Sequence, residues 1–359
     1  MAHVYGYKSK GDIDDVNHYL NKEIMNDIPQ ISIPDYGSIM APDPIRDAFQ
    51  NYTPKTVLVL GNGFDLSLKM KTSYKDFASS TFWPFSDKEK YAEFSLPYFL
   101  NSNYDKAKSW FDLEELLAIY ASSNNIEGNI HKGDSSLIEK DKEFFKILVS
   151  SLTDYLQQEQ ENFVERIKNT QGARRASVAH IVLQMLEKKE HLSIFSFNYT
   201  DLCLLARQFI LGFDADVHYV HGSLRDKDII LGAGDSRLLD DNYFDFYKSA
   251  NERYKSNNLI EELSDADEVY IFGHSLGKND QDYFFEFFNK SIYERKGVFH
   301  TRKLKLRIFT KDTKSSLEIK KQIMMLTNHH LTGLYAHCDF KVYKNDDLDV
   351  SSLMADLEI

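Results

Sequence analysis

The residues of this chain that could do chemistry follow four apolar segments of the sequence, each at the point where the segment ends. They include histidines, which titrate near neutral pH, together with carboxylates and amides that can orient a reactant. Open α/β sheets bind ligands outside the carboxyl ends of their strands, so residues in these positions would share one edge of a parallel sheet. The candidate site residues are Gly61, Asn62, Gly63, Phe64, Asp65, Asn198, Tyr199, Thr200, Asp201, His221, Gly222, Gly273, His274, Ser275 and Asp280.

The first of these positions is a glycine loop, residues 61–63, directly after the apolar run 56–60. A continuous Val/Leu run bounded by glycines is typical of a strand buried on both faces of a parallel sheet. Glycines after such a strand allow a tight turn, so that backbone N–H groups can face an anion such as a nucleotide phosphate. Leu66 stands where the dinucleotide fingerprint has its third glycine, and a tight turn without a ligand is the alternative.

The other positions also have a second interpretation. Asn198 could cap a helix or form an Asx turn, and His221 could be a core histidine. Residues 273–277 match the GxSxG nucleophile elbow of α/β-hydrolases, which would make Ser275 a nucleophile. However, the predicted start of the next helix at Asn279 and Asp280 lies several residues after Ser275, which does not fit a tight elbow.

The order of the predicted elements indicates an α/β fold, a Rossmann-like parallel sheet with helices on both faces and a large helical insertion. After the first strand the pattern is helical almost throughout, and strands then alternate with helices. We predict a polar N-terminal extension over residues 1–54, an α/β domain over 55–84 and 191–345, an inserted helical subdomain over 85–190 and a C-terminal tail over 346–359.

Shorter patterns give local predictions. Residues 228–231 are predicted to form a short strand, residues 240–263 a helix and residues 340–343 an edge strand. In the inserted region, Trp110 is predicted to anchor the core, while Glu114 and Glu115 lie on the solvated face of their helix.

The composition narrows the class of partner. The chain has 359 residues and a formal net charge of -12, which argues against capture of nucleic acid or of an anionic membrane surface. Two isolated cysteines, Cys203 and Cys338, and histidines without metal-ligand spacing predict no disulfide framework and no metal site. No apolar run reaches transmembrane length, and the polar start of the sequence is not a signal peptide. We therefore expect a soluble, cytoplasmic protein.

Five motifs together resemble the AbiH family of bacterial phage abortive-infection proteins. They are GNGFDLSLKMKTSYKDF, WFDLEELL, SFNYTD, VHGS and IFGHSLGKNDQDYF, and they extend from about residue 58 to about residue 284 in the order of that family. The resemblance implies a toxic effector of phage defence. A phage protein that triggers it and a homo-oligomeric state are further expectations.

A more distant resemblance concerns mechanism. The order of glycine loop, Asn198, His221-Gly222 and Ser275 is similar to the sirtuin-like NAD-binding fold. It implies NAD as substrate, Asn198 as the residue that orients the ribose or the attacking water, and His221 as general base. The glycine loop and Ser275 would line the phosphates and the adenosine half. Cleavage of the nicotinamide–ribose bond passes through an oxocarbenium-like state, as in glycoside hydrolysis.

The sequence departs from sirtuins in two respects. Two cysteines cannot supply the four-cysteine zinc module, which argues against protein deacylation. Asp65 also places a carboxylate where phosphates would approach. Three other functions stay open: a non-catalytic nucleotide or phage-signal sensor, a nuclease that uses Asp65, His221 and Asp280, and a serine-type hydrolase built on Ser275.

Overall fold

The computed structural model describes residues 52–106, 112–122, 134–169, 177–292 and 303–357. Residues 1–51, which make up nearly all of the predicted N-terminal extension, lie outside the described residues, and so does Trp110. The predicted domain boundaries stay predictions.

The described residues contain a six-stranded sheet in which every neighbouring pair of strands is parallel. The strand order is β3-β2-β1-β4-β5-β6, which is the order of a Rossmann fold. From β1 the chain adds β2 and β3 on one side of the sheet, and β4, β5 and β6 then follow on the other side. This confirms the predicted α/β fold with a parallel sheet. The strands are β1 (Lys55–Leu60), β2 (His191–Ser196), β3 (Val217–Tyr219), β4 (Glu268–Phe272), β5 (Leu304–Thr310) and β6 (Cys338–Lys344).

Helices surround the sheet, and the longest of them, Ser135–Asn169, lies in the insertion between β1 and β2. Within the described ranges the α-helices are α1 (Gly63–Ser67), α2 (Tyr74–Ala78), α3 (Leu96–Lys106), α4 (Leu113–Ala121), α5 (Ser135–Asn169), α6 (Val178–Leu186), α7 (Leu202–Ala206), α8 (Leu259–Asp265), α9 (Asp282–Glu286), α10 (Thr313–Leu326), α11 (Leu331–His337) and α12 (Val350–Leu357). A π-helical turn, Phe287–Ser291, continues α9, and the 3₁₀ segments are Lys88–Lys90, Asp241–Phe246, Lys248–Ala250 and Asn345–Asp347.

The alternation of side chains along β1 explains why helices cover both faces. Leu58 and Leu60 enter a core with α6, α7 and α12, whereas Val57 and Val59 enter a second core with α8 and α10. Successive side chains of a strand point to opposite faces, so an apolar residue at every position needs a partner on each side.

The helical insertion has a third core of its own. Leu100 of α3, Leu117 of α4 and Leu152 of α5 pack together in it, and Tyr199 and Phe246 from later parts of the chain join them. Because Tyr199 follows β2 directly, the insertion packs over the carboxyl edge of the sheet.

Two local predictions are wrong. Residues 228–231 form no strand and lie in a loop that folds back on the turn after β3, where the N–H of Ile230 donates to the carbonyl of His221 (2.9 Å). The predicted helix over residues 240–263 is broken into 3₁₀ turns, an irregular stretch and α8. The 3₁₀ spacing buries both Tyr243 and Phe246 in the third core, and the polar, Asn-rich stretch after Ala250 has no apolar face to pack. The predicted edge strand is confirmed as part of β6.

The glycines after β1 and β4 allow the two loops to touch through their backbones. The N–H of Gly63 donates to the carbonyl of Gly273 (2.9 Å). A Cβ on Gly63 would lie 2.5 Å from the Cα of Gly273, and a Cβ on Gly61 would lie 2.5 Å from the Cα of His274. Gly273 also has a positive φ of 66°. Only glycine fits this contact.

We expect Gly273→Ala to destabilise the fold by about 3 kcal/mol or more, since its Cβ would lie 2.4 Å from the Cα of Gly63. Gly212 is a matched control, because its φ is also positive (75°) but no heavy atom lies within 4 Å of a Cβ added there. Gly212→Ala should cost only the backbone strain of about 1 kcal/mol. Urea unfolding of both variants measures the difference, and equal losses would contradict the close packing of the two loops.

Candidate functional site

Two of the predicted histidines and Asp280 converge at the carboxyl edge of the sheet. Nε2 of His221, which follows β3, lies 2.8 Å from Oδ1 of Asp280, in the loop after β4. Nε2 of His274 lies 3.5 Å from Oδ2 of the same carboxylate. The ring of Phe197 packs against both histidines, with ring centroids 5.3 Å and 4.3 Å away.

A buried ammonium group completes this cluster. Nζ of Lys248 lies 3.0 Å from Oε2 of Glu114, 3.0 Å from Oδ1 of Asp280 and 3.1 Å from Nε2 of His221. Only 4% of the Lys248 side chain is exposed. We call Glu114, His221, Lys248 and Asp280 the buried charge cluster.

The prediction that Glu114 lies on a solvated helix face is wrong. Glu114 shares the buried face of α4 with Leu117, Ala118 and Ala121, at the helical spacings of three, four and seven residues. That spacing is a signal in the sequence that marks Glu114 as buried. Lys248 carries no such signal, because it lies in a short 3₁₀ turn and its partners come from distant parts of the chain.

Nε2 of His221 lies closer to the Asp280 carboxylate (2.8 Å) than to the Lys248 ammonium (3.1 Å), and this favours one tautomer of the ring. An unprotonated Nε2 would direct its lone pair at the carboxylate of Asp280, which is repulsive at 2.8 Å. We therefore assign the proton to Nε2, which donates to Asp280, while Lys248 donates to Glu114 and Asp280. The neutral ring then has a lone pair on Nδ1. A carboxylate that orients an imidazole in this way is a common arrangement for a general base.

The charges in the cluster shift the pKa values of its members. Burial lowers the pKa of His221 below its usual 6.5, and the nearby ammonium of Lys248 acts in the same direction. Burial would raise the pKa of Asp280, but the Lys248 ammonium and the His221 hydrogen bond hold it well below its usual range. Burial raises the pKa of Glu114. At neutral pH the cluster therefore contains neutral His221, ionised Asp280 and charged Lys248.

A second group of buried polar residues lies at the ends of β1 and β2. Oδ1 of Asp65 accepts a hydrogen bond from Nδ2 of Asn198 (3.0 Å), and Oδ2 accepts one from Oγ1 of Thr200 (2.8 Å). Asp65 is only 2% exposed. Burial raises its pKa to about 7, against the two hydrogen bonds, and among the described residues no charged group contributes to the shift.

Three buried polar atoms in the loops after β2, β3 and β4 have no hydrogen-bond partner. They are Oδ1 of Asn198, Nδ1 of His221 and Oδ1 of Asn279. Buried polar atoms are nearly always paired in folded proteins, so each exception calls for an explanation, such as a catalytic role or a bound water or ion. Two of the three belong to the predicted catalytic residues.

The remaining predicted residues mostly support the loops. The backbone N–H groups of Gly61, Gly63 and Phe64 already donate hydrogen bonds to protein carbonyls. The side-chain amide of Asn62 donates from Nδ2 to the carbonyl of Thr72 and accepts at Oδ1 from the Thr72 hydroxyl. In addition, Phe64 packs edge-on against Phe272, Tyr199 donates to Glu114, Asp201 caps α7, and a Cβ on Gly222 would clash with the carbonyl of Asp228.

Ser275 has none of the geometry of a nucleophile elbow. Its side chain is exposed, and α9 begins only at Asp282. The adjacent His274 cannot serve Ser275, because its Nδ1 accepts from the N–H of Leu276 (3.0 Å) and its Nε2 faces Asp280. Tight strand–elbow–helix geometry is what makes such a serine reactive.

A cavity of about 600 Å³ lies along the outer edge of β3. It is lined by β3 itself, by the turn at Gly222 and Asp228, and by residues 255–258. It borders the candidate site through Gly222 but contains neither His221 nor Asn198.

The fold and the site together define a Rossmann-like α/β protein with a buried polar site at the carboxyl edge of its sheet. A family model described as bacteriophage abortive infection AbiH matches residues 57–299. Because this match covers more than half of the chain, the protein belongs to the AbiH family. The predicted AbiH resemblance is thereby confirmed, and the family indicates a role in abortive infection by phage.

The comparison with curated proteins gave no match. In the described part of the chain, none of the helices combines the length and the apolar character needed to span a membrane.

Removal of Lys248 should strongly destabilise the protein. Lys248→Met leaves the carboxylates of Glu114 and Asp280 buried without their cation, which costs about 3–5 kcal/mol. Lys255→Met is the control, because Lys255 also pairs with an aspartate (3.3 Å to Asp228) but its side chain is 77% exposed, and it should cost about 1 kcal/mol or less. Urea unfolding near pH 7.5 compares the two variants, and similar losses would contradict a buried charge cluster.

The raised pKa of Asp65 should make stability depend on pH. The folded protein holds a proton on Asp65 up to about pH 7, whereas the unfolded chain loses it near 3.8, so stability falls as the pH rises between these values. Asp65→Asn cannot lose a proton and does not show this fall. The free energy of unfolding of the variant minus that of wild type should therefore be about 2–3 kcal/mol higher at pH 8 than at pH 5. The exposed Asp241→Asn is the control in the same urea titrations. A constant difference between Asp65→Asn and wild type would contradict the shift.

Proposed function

We propose that this protein acts in abortive infection by cleaving NAD, or a related nucleotide, at its N-glycosidic bond, and that its site is sirtuin-like. The observation that carries the proposal is the pair of buried, unpartnered atoms on Asn198 and His221 at the ends of adjacent strands. Loss of NAD from an infected cell would stop phage replication along with the metabolism of the cell.

The chemistry of the unpartnered atoms favours a sugar at this position. Both amide oxygens, on Asn198 and Asn279, are acceptors, and so is Nδ1 of His221 in the tautomer that Asp280 selects. Phosphate oxygens are also acceptors and cannot satisfy them, whereas ribose hydroxyls or a water can donate to them. The N–H groups of Gly61 and Gly63 are engaged elsewhere. We therefore place the ribose, rather than a phosphate, against these atoms.

The proposed reaction needs one base and one orienting group. The bond between ribose C1′ and the nicotinamide nitrogen breaks, and its electron pair neutralises the positive charge of the leaving group, so no general acid is required. A water oxygen bonds to C1′, and its proton passes to Nδ1 of His221 and then to solvent. Asn198 Oδ1 accepts a hydrogen bond from the water or from a ribose hydroxyl. Asp280 stabilises the imidazolium through Nε2, at 2.8 Å.

We expect the purified protein to release nicotinamide and ADP-ribose from NAD. His221→Ala and Asn198→Ala should each lower turnover by on the order of 100-fold or more and abolish toxicity in cells. His191→Ala is the control, because His191 is exposed and lies at the opposite, amino end of β2. Chromatography of the products measures turnover, and thermal unfolding verifies that the variants fold.

Absence of both NAD binding and turnover, or full activity in the two site variants, would contradict the proposal. Full phage defence in His221→Ala and Asn198→Ala would favour a non-catalytic sensor instead.

A further inference from the structure

Asp65 is a buried carboxylate that the proposed reaction leaves without a role. It follows the glycine loop, in the five-residue helix α1, and is enclosed by protein. Its two hydrogen-bond donors, Asn198 and Thr200, are neutral, and no charged group among the described residues shifts its pKa. A carboxylate in such a place is costly to ionise, and residues of this kind cluster at functional sites.

The contact with Asp65 decides which atom Asn198 presents to the site. An ionised carboxylate only accepts hydrogen bonds, so the amide must turn its Nδ2 toward Oδ1 of Asp65, at 3.0 Å. Oδ1 of Asn198 is then left on the other side, buried and without a partner. If the amide were flipped, an N–H donor would replace this acceptor. A donor there would bind the lone pair of the attacking water instead of its hydrogen.

We propose that Asp65 is the positioning residue for Asn198, which fixes the amide so that Oδ1 faces the substrate. This inference rests on the proposed function of the site. Thr200 has a supporting part, because its hydroxyl holds the second oxygen of Asp65 at 2.8 Å and so fixes the plane of the carboxylate.

The arrangement links the pH dependence of the reaction to Asp65. The pKa of Asp65 is raised to about 7 by burial, and a protonated Asp65 no longer requires a donor from Asn198. Wild-type turnover should therefore fall as the pH drops through about 7. The pKa of His221 is lowered below 6.5, so in Asp65→Asn the decline should move to lower pH, where His221 becomes protonated.

Turnover of NAD by single and double variants tests the inference. Asp65→Ala should lower kcat on the order of 100-fold with little change in KM, because the amide of Asn198 loses its anchor. Asp65→Asn should lose far less, since its amide oxygen can still accept from Nδ2 of Asn198. The double variant Asp65→Ala/Asn198→Ala should be no slower than Asn198→Ala, because both changes remove the same interaction. If the double variant instead lost turnover by the product of the two single losses, the two residues would act independently and the inference would be overturned.

A second measurement does not depend on activity. The side-chain amide signals of Asn198 in ¹⁵N NMR, assigned by their absence in Asn198→Asp, should shift with a midpoint near pH 7 in wild type and not in Asp65→Asn. Thr200→Val keeps the shape of the site and should broaden or move these signals. If wild type shows this titration but cleaves no NAD, the proposed function fails while the positioning of Asn198 stands. If the Asn198 amide signals changed neither with pH nor on substitution of Asp65, the proposed positioning of Asn198 by Asp65 would be overturned.

Discussion

The ammonium group of Lys248 holds together three parts of the chain that are far apart in sequence. It lies within 3.1 Å of Glu114 in the helical insertion, of His221 after β3 and of Asp280 after β4. Burial of the Lys248 ammonium or of a carboxylate of this cluster alone would cost several kcal/mol, so each charge depends on its partners being in place. The orientation of His221 follows from this cluster, because Asp280 can stay ionised next to the imidazole only while Lys248 is near.

The insertion therefore takes part in the site as well as covering it. Glu114 belongs to α4, and the same carboxylate also accepts a hydrogen bond from Tyr199, directly beside Asn198. Any movement of α4 against the sheet would disturb both Lys248 and Tyr199. The charges of the site are shared between the sheet and the insertion, and this couples the positions of the two.

The close contact of the glycine loops has a different consequence. Because Gly63 and Gly273 touch through their backbones, α1 starts immediately at the end of β1 and Asp65 is drawn into the interior. There it meets Asn198 from the neighbouring strand end. The role of Gly63 and Gly273 is therefore to place Asp65 in the interior. Their N–H groups are used within the protein, which separates this loop from the phosphate-binding loop that its glycine spacing suggests.

Local patterns in the sequence were sufficient to predict the sheet, its parallel strands and the edge at which polar residues collect. A strand that is buried on both faces is a continuous apolar run, which can be recognised in the sequence. They were also sufficient for the AbiH motifs. They failed at residues 240–263, where a helical pattern is broken by packing against the insertion. At Glu114 the pattern itself was informative, because its spacing to Leu117 and Ala121 marks the buried face, and the prediction of a solvated face overlooked it. Only the tertiary structure brought Lys248 to His221 and Asp65 to Asn198, since these pairs join residues 27 and 133 positions apart. Contacts between distant side chains depend on how elements pack, and no periodicity within one element records them.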